Sequence, residues 1–195
     1  MKALIGMSGG VDSSVAALLM QQAGYECIGA TMRLYAGQVE SANGTKTCCS
    51  LDDVEDARSV ARRMGIAHYV FNFTDEFYKD VIDKFVDTYY KGGTPNPCID
   101  CNRFLKFGKL VQRARELGCD CVVSGHYAKV ERDGSTGRYL LKRAADSAKD
   151  QTYFLACLTQ EQLSMVRFPL GDLTKEQVRE IAAQHGFVTA RKHDS

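Results

Sequence analysis

The stretch Met7-Ser8-Gly9-Gly10-Val11-Asp12-Ser13-Ser14 decides the fold. A short apolar run, Ala3-Leu4-Ile5-Gly6, leads into it, and a helical pattern, Val15-Ala16-Ala17-Leu18-Leu19-Met20, leads out. A strand that enters a glycine-rich turn and leaves as a helix is a phosphate-binding layout. Glycine lets the backbone approach an anion and reach φ values that other residues avoid. The N–H groups at the helix start, with the positive end of its dipole, then hold negative charge. The hydroxyls of Ser8, Ser13 and Ser14 add donors. The plainer reading is a turn with Asp12 or Ser13 as helix N-cap, and the two readings are compatible.

No lysine follows the glycines, so this is not a Walker A loop, and the spacing is not the dinucleotide G-x-G-x-x-G. S-G-G-x-D-S instead resembles the pyrophosphate-loop signature of enzymes that split ATP between its α and β phosphates. Such enzymes adenylate a substrate and release pyrophosphate.

A chain of 195 residues, 45% hydrophobic and 25% charged, fits one compact α/β domain. Its net charge of +1 excludes a uniformly basic surface, so any nucleic-acid contact must come from a local patch. No apolar run approaches a membrane span and no signal peptide precedes Met1, which makes the cytoplasm the expected location. The eight cysteines are accordingly expected to be reduced.

Gly24 closes the first helix, and the run from Glu26 to Leu34 predicts a second, buried strand. Residues 36–47 are polar and glycine-containing and predict a mobile loop. Ser50-Leu51-Asp52-Asp53 has the form of a capping box. The helix after it is acidic early and basic late (Arg58, Arg62, Arg63), which suits the dipole without a functional reading. His68 to Phe73 predicts a third strand, and Phe77, Val81, Ile82, Phe85 and Tyr89 then recur at helical spacing. Gly92 to Pro97 breaks the pattern. A helix is predicted from about Asn102 to Leu117, and a fourth strand from Cys119 to Ser124, ending at Gly125-His126.

Strands alternating with helices predict a parallel twisted sheet with helices on both faces. Ligands in such sheets bind at the carboxyl ends of the strands, where the loop, Met32 and Gly125-His126 all lie. Residues 1–132 are assigned to this core sheet. Residues 133–195 begin with a hairpin around Asp133-Gly134 and continue as helices over 152–165 and 174–185.

Cys98-Ile99-Asp100-Cys101 follows a Pro-x-Pro turn. One C-x-x-C supplies two ligands where structural zinc wants four, and adjacent Cys48 and Cys49 chelate poorly together. Cys101 falls just before the next helix, where the dipole favours thiolate. A nucleophile, or a sulfur or cluster ligand, is therefore preferred to zinc. Cys27, Cys119, Cys121 and Cys157 lie in apolar runs and read as core. Arg103, Lys106, Lys109 and Arg113 form one helical stripe at about 100° per residue. The stripe is a solvated flank, or, beside a reactive cysteine, a contact for a phosphate backbone.

Taken with Thr47-Cys48-Cys49-Ser50, Thr94-Pro95-Asn96-Pro97, Cys101-Asn102, Ser124-Gly125-His126-Tyr127-Ala128, Lys149-Asp150-Gln151-Thr152-Tyr153-Phe154-Leu155 and Phe168-Pro169-Leu170-Gly171, the loop resembles the bacterial tRNA-specific 2-thiouridylase (MnmA) family over the whole chain. The resemblance implies an adenine nucleotide alpha-hydrolase-like, pyrophosphate-loop ATPase fold. It also implies replacement of the C2 oxygen of the wobble uridine of tRNA by sulfur, with ATP and Mg²⁺ adenylating that oxygen. Gly6, Met7, Ser8, Gly9, Gly10, Val11, Asp12 and Ser13, with Met32 and Gly125, would hold ATP. Asn96, Pro97 and Cys98 would border the target base, His126, Lys149, Asp150 and Gln151 would contact tRNA, and Cys101 matches the nucleophile. A sulfur-donor protein is the implied second partner.

Two departures stand out. Many members carry aspartate at the position of Cys98. The family's persulfide-carrying cysteine would follow the stretch matching Lys192-His193-Asp194-Ser195, and its tRNA-binding middle domain and C-terminal barrel would come later still. The chain is thus read as an N-terminal catalytic piece, unable to complete thiolation alone. Two sulfur routes stay open. Cys101 pairs with the persulfide cysteine, or Cys98, Cys101 and that cysteine hold a four-iron four-sulfur cluster with one iron open. The rival readings are another pyrophosphate-loop adenylating enzyme and a non-catalytic ATP-binding module.

Overall fold

The computed structural model describes residues 1–35 and 51–192. The expected 36–47 loop, Cys48, Cys49 and Ser50 lie outside the described residues, as do His193, Asp194 and Ser195.

Strand β1 (Lys2–Gly6) enters the loop and helix α1 (Val11–Gln22) leaves it. Strand β2 (Glu26–Arg33), helix α2 (Leu51–Met64) and strand β3 (Ala67–Asn72) follow. Next come two long helical segments, over 74–90 and 97–116, and strand β4 (Cys121–Val123). Strands β5 (Lys129–Arg132) and β6 (Tyr139–Lys142) pair antiparallel as the expected hairpin. Strand β7 (Val166–Arg167) returns to the main sheet, whose order is β3-β2-β1-β4-β7 with every pair parallel.

Side chains alternate across a strand, and here both faces are covered. Ala3 and Ile5 of β1 pack with α1, α2 and the helix Lys175–Gln184, whereas Leu4 packs with Leu110, Val111 and Ala114 of the 97–116 helix. Leu4 and Ile5 are fully buried, each contributing about 1.5–3 kcal/mol by burial.

Three features differ from expectation. The sheet takes its fifth strand from Val166–Arg167, beyond the 1–132 division, and two residues are too few to show a period. The 97–116 helix starts at Pro97, not near Asn102, because Asn96 caps it with Oδ1 accepting from the Cys98 N–H at 3.2 Å. Proline at the first helical position is preorganised for that start. Both long helices also carry π-helical stretches, Tyr78–Ile82 and Cys101–Lys109. The second of these ends the single basic stripe drawn at α-helical spacing. Lys109 pairs with Glu76 at 3.2 Å and Arg113 with Glu116 at 2.6 Å, so two of the four cations of the stripe are engaged with carboxylates.

Candidate active site at the carboxyl ends of the strands

β1 lies between β2 and β4, so the sheet's order reverses between β1 and β4, the switch point where ligands of such sheets bind. The loop occupies that point. Gly9 has φ +72, and a Cβ there would lie 2.2 Å from the Asp53 carbonyl oxygen. Gly10, not Asp12 or Ser13, is the N-cap of α1, and no side chain caps the helix there. The first-turn N–H groups of Val11, Asp12 and Ser13 have no intrahelical acceptor, which is the condition for holding an anion. Ser13 closes the loop by accepting the Ser8 N–H at 3.2 Å and donating to the Gly10 carbonyl at 3.1 Å. Gly125, after β4, packs against α1 so closely that a Cβ would meet the Asp12 carbonyl carbon at 2.7 Å.

Asp12 faces two partners that no local pattern announced. The Lys175 ammonium donates to both its carboxylate oxygens, at 2.8 and 2.7 Å, and the Tyr127 hydroxyl donates to Oδ1 at 2.8 Å. Lys192 lies at the loop's other side, 3.1 Å from the Gly9 carbonyl and 2.6 Å from both Asp53 Oδ1 and Asp56 Oδ2. Burial works against its charge, but the two carboxylates outweigh burial and raise its pKa. Lys192→Ala is expected to remove a cation from between the Asp53 and Asp56 carboxylates, which are only 15% and 35% exposed. The expected cost is about 1–3 kcal/mol in a chemical-denaturation curve, with weaker nucleotide binding beside it. An unchanged curve would remove Lys192 from the loop's support.

The other anticipated residues divide. Met32 is buried in a cluster with Phe73, Phe77, Val81 and Leu105, and Cys101 packs against that same cluster, which brings the thiol to the strand ends. Cys98 is exposed in the helix's first turn and Cys101, partly exposed, stands one turn later rather than before the helix. Asn96 spends Oδ1 on the cap, beside Pro97. Gln151 exchanges two bonds with the Tyr127 backbone, and Asp150 accepts from Ala144 N and Thr152 Oγ1, so both shape the 149–151 turn. Lys149 N donates to Asp146 O in the same turn. Cys27, Cys119 and Cys121 are core as expected, and burial, with Cys121 as the lesser cause, pushes the Cys27 thiol up to about 11. Cys157 is only partly buried, its Sγ 3.8 Å from the Ile99 carbonyl between the two site cysteines. Among the described residues no group of three or more His, Cys, Asp or Glu is placed to hold a metal ion, so Cys98 and Cys101 supply two ligands of a cluster at most.

His126 departs most from a surface contact. Its ring is 7% exposed, lies 5.8 Å from Phe107 and 5.9 Å from Phe168 between centroids, and bonds Ser124 Oγ through Nδ1 at 2.7 Å. Burial, aided by Lys106, lowers its pKa well below 6.5. A ring held neutral in the fold must charge when the chain unfolds in acid. Stability is therefore full above the unfolded value of 6.5 and falls as pH drops below it toward the folded pKa. The expected loss is up to about 1.4 kcal/mol per pH unit. Denaturation curves between pH 7 and 5 check this, and His126→Phe should flatten the slope.

The family model described as tRNA methyl transferase HUP domain matches residues 1–195. The chain belongs to that family. A curated relative, the tRNA-specific 2-thiouridylase MnmA of Clostridioides difficile, is 55% identical over 196 residues, covering 100% of this chain and 54% of that protein. The protein of the same name from Moorella thermoacetica is 52% identical over 192 residues, 98% of this chain and 54% of its own. The chain thus spans about half the length of the curated relatives it matches. Among solved structures, a 4-thiouridine synthetase–RNA complex with bound ATP aligns with TM-score 0.60 and 18% identity, over 98% of this chain and 42% of that one. An NMN synthetase from Francisella tularensis aligns with TM-score 0.56 and 18% identity, over 100% and 66%. At such identity the likeness is one of fold, and it agrees with the parallel sheet covered by helices described above. No helix among the described residues is long and apolar enough to cross a membrane.

Proposed function

We propose that this chain is the ATP-using half of a tRNA 2-thiouridylase. The observation that carries the reading is the uncapped helix start at the switch point, which bears Asp12 paired with Lys175, while Cys101 packs at the same strand ends. The α1 N–H groups and the Lys175 ammonium suit the triphosphate, and Asp12 suits Mg²⁺. The uridine C2 oxygen attacks the α-phosphorus, and pyrophosphate leaves from where the dipole stabilises its charge. Sulfur then attacks C2, and AMP departs with the oxygen.

In the persulfide route the terminal sulfur of a carrier cysteine forms the C2–S bond. The Cys101 thiolate next attacks the carrier's own sulfur, breaking the S–S bond. The electron pair stays on the 2-thiouridine, and Cys101 is left in a disulfide that two electrons from a thiol reductant restore. A sulfur-donor protein recharges the carrier. In the cluster route Cys98 and Cys101 would supply two of the thiolates, since no third His, Cys, Asp or Glu is grouped with them among the described residues. Methyl transfer, the activity in the family's description, calls for neither a pyrophosphate loop nor a thiol pair. Arg103 and Lys106 are the cations of this face that remain for phosphates of the RNA.

Calorimetry tests the nucleotide site. Mg²⁺·ATP is expected to bind, and Asp12→Ala to weaken it about tenfold or more, the loss of one charged contact. Unchanged affinity in that variant would contradict the site.

A further inference from the structure

We infer that Tyr127, Gln151 and Asn102 couple nucleotide in the loop to the placement of Cys101, with Asn102 as the positioning residue for that thiol. The inference rests on the reading of the loop as an ATP site. It starts from an unbroken run of hydrogen bonds. The Tyr127 hydroxyl donates to Asp12 Oδ1 at 2.8 Å. The Tyr127 N–H donates to Gln151 Oε1 at 3.0 Å, and the Gln151 N–H donates back to the Tyr127 carbonyl at 2.9 Å. The Phe154 N–H donates to the Gln151 carbonyl at 3.1 Å, and Asn102 Nδ2 donates to the Phe154 carbonyl at 3.1 Å. Asn102 is the residue after Cys101. Tyr127 and Asn102, at the two ends of the run, are each 2% exposed, so water competes little for these bonds.

Two further observations mark the Cys101 end as able to change. A carbonyl only accepts, so the bond to Phe154 fixes which way the Asn102 amide points. Its Oδ1 is then buried with no partner among the described residues, an incompletely satisfied arrangement. The helix also leaves α geometry at Cys101, running as π-helix through Lys109. π turns inside α-helices gather at functional sites. Tightening one π turn to α rotates the residues before it by about 100°, one residue's step, and would re-aim Cys98 and Cys101. Such a change of turn would supply the two-state element that coupling requires. Triphosphate and Mg²⁺ at Asp12 change what Lys175 and Tyr127 share there, and the run transmits the change to Asn102.

The test follows alkylation of Cys101 by iodoacetamide, with tandem mass spectrometry separating it from Cys98, with and without saturating Mg²⁺·ATP. In the unaltered chain ATP is expected to change the rate about fivefold or more. Tyr127→Phe, which removes only the hydroxyl, and Asn102→Ala should each cut the ATP effect to below about twofold while calorimetry still finds ATP bound. Direct shielding of the thiol by nucleotide would survive both substitutions, so retention of the effect in both overturns the coupling. ATP that binds without altering the Cys101 rate in the unaltered chain overturns it too. Failure of ATP to bind the unaltered chain instead overturns the reading of the loop, and the coupling falls with it. Should Asn102→Ala not fold, Tyr127→Phe alone decides.

Discussion

Gly9→Ala is expected to abolish nucleotide binding and destabilise the fold, whereas Gly10→Ala one residue later leaves the fold intact. The contrast follows from backbone geometry. At φ +72 an L side chain is strained by about 1–2 kcal/mol. Its Cβ would also stand 2.2 Å from the Asp53 carbonyl and 2.7 Å from the Asp53 Cα, which are backbone atoms of α2 and cannot swing aside. Overpacking of this kind adds about 1–3 kcal/mol, for a total of about 2–5. Gly10 sits at φ -98, open to any residue, and the nearest atom to its Cβ would be Ser8 Oγ at 3.5 Å. Gly24, with φ +83 and nothing within 4 Å, isolates the conformational cost alone. Denaturation midpoints of the three alanine variants should therefore rank Gly10 highest, Gly24 between and Gly9 lowest. If Gly9→Ala matches Gly10→Ala, the packing of the loop against α2 is wrong.

Cys101→Ser carries the largest expected effect on chemistry. In a protein that extends this chain to the length of its relatives, the substitution should abolish 2-thiouridine formation and leave ATP affinity unchanged. A serine hydroxyl at neutral pH is no thiolate and forms no disulfide with a carrier cysteine. Cys98→Ser separates the sulfur routes. Partial activity is expected if Cys101 works with a persulfide, since the Cys98 thiol forms and breaks no bond in that route. Loss of both iron and activity would mark a cluster. Mass spectrometry of nucleosides from digested tRNA reads both variants, and full thiolation by Cys101→Ser would refute the assignment.

What the sequence disclosed was what is local. The loop, the four longer strands of the sheet and the hairpin follow from apolar runs and glycine placement within a few residues. Asn96 and Pro97 carried a readable helix start, a capping residue followed by proline, but lay inside a run that looks like a breaker. The π-helical stretch from Cys101 has no local signature, since nothing local distinguishes 4-residue from 5-residue hydrogen bonding, and the stripe expected at α-helical spacing therefore runs longer than the α geometry does. Lys175 and Lys192 are illegible in the sequence for a different reason. They meet Asp12 and Gly9 across 163 and 183 residues, and only the folded sheet sets them there. The burial of His126, a tRNA contact by the resemblance, is not legible locally because its cover, Phe107 and Phe168, comes from separate elements.

Product analysis of ATP turnover tests the account most directly. The extended protein, mixed with Mg²⁺·ATP labelled separately at the α and γ phosphates and with a tRNA bearing a wobble uridine, should release labelled AMP and labelled pyrophosphate. It should do so only with the tRNA's uridine present. Release of ADP and inorganic phosphate, or turnover indifferent to the uridine, would contradict the account.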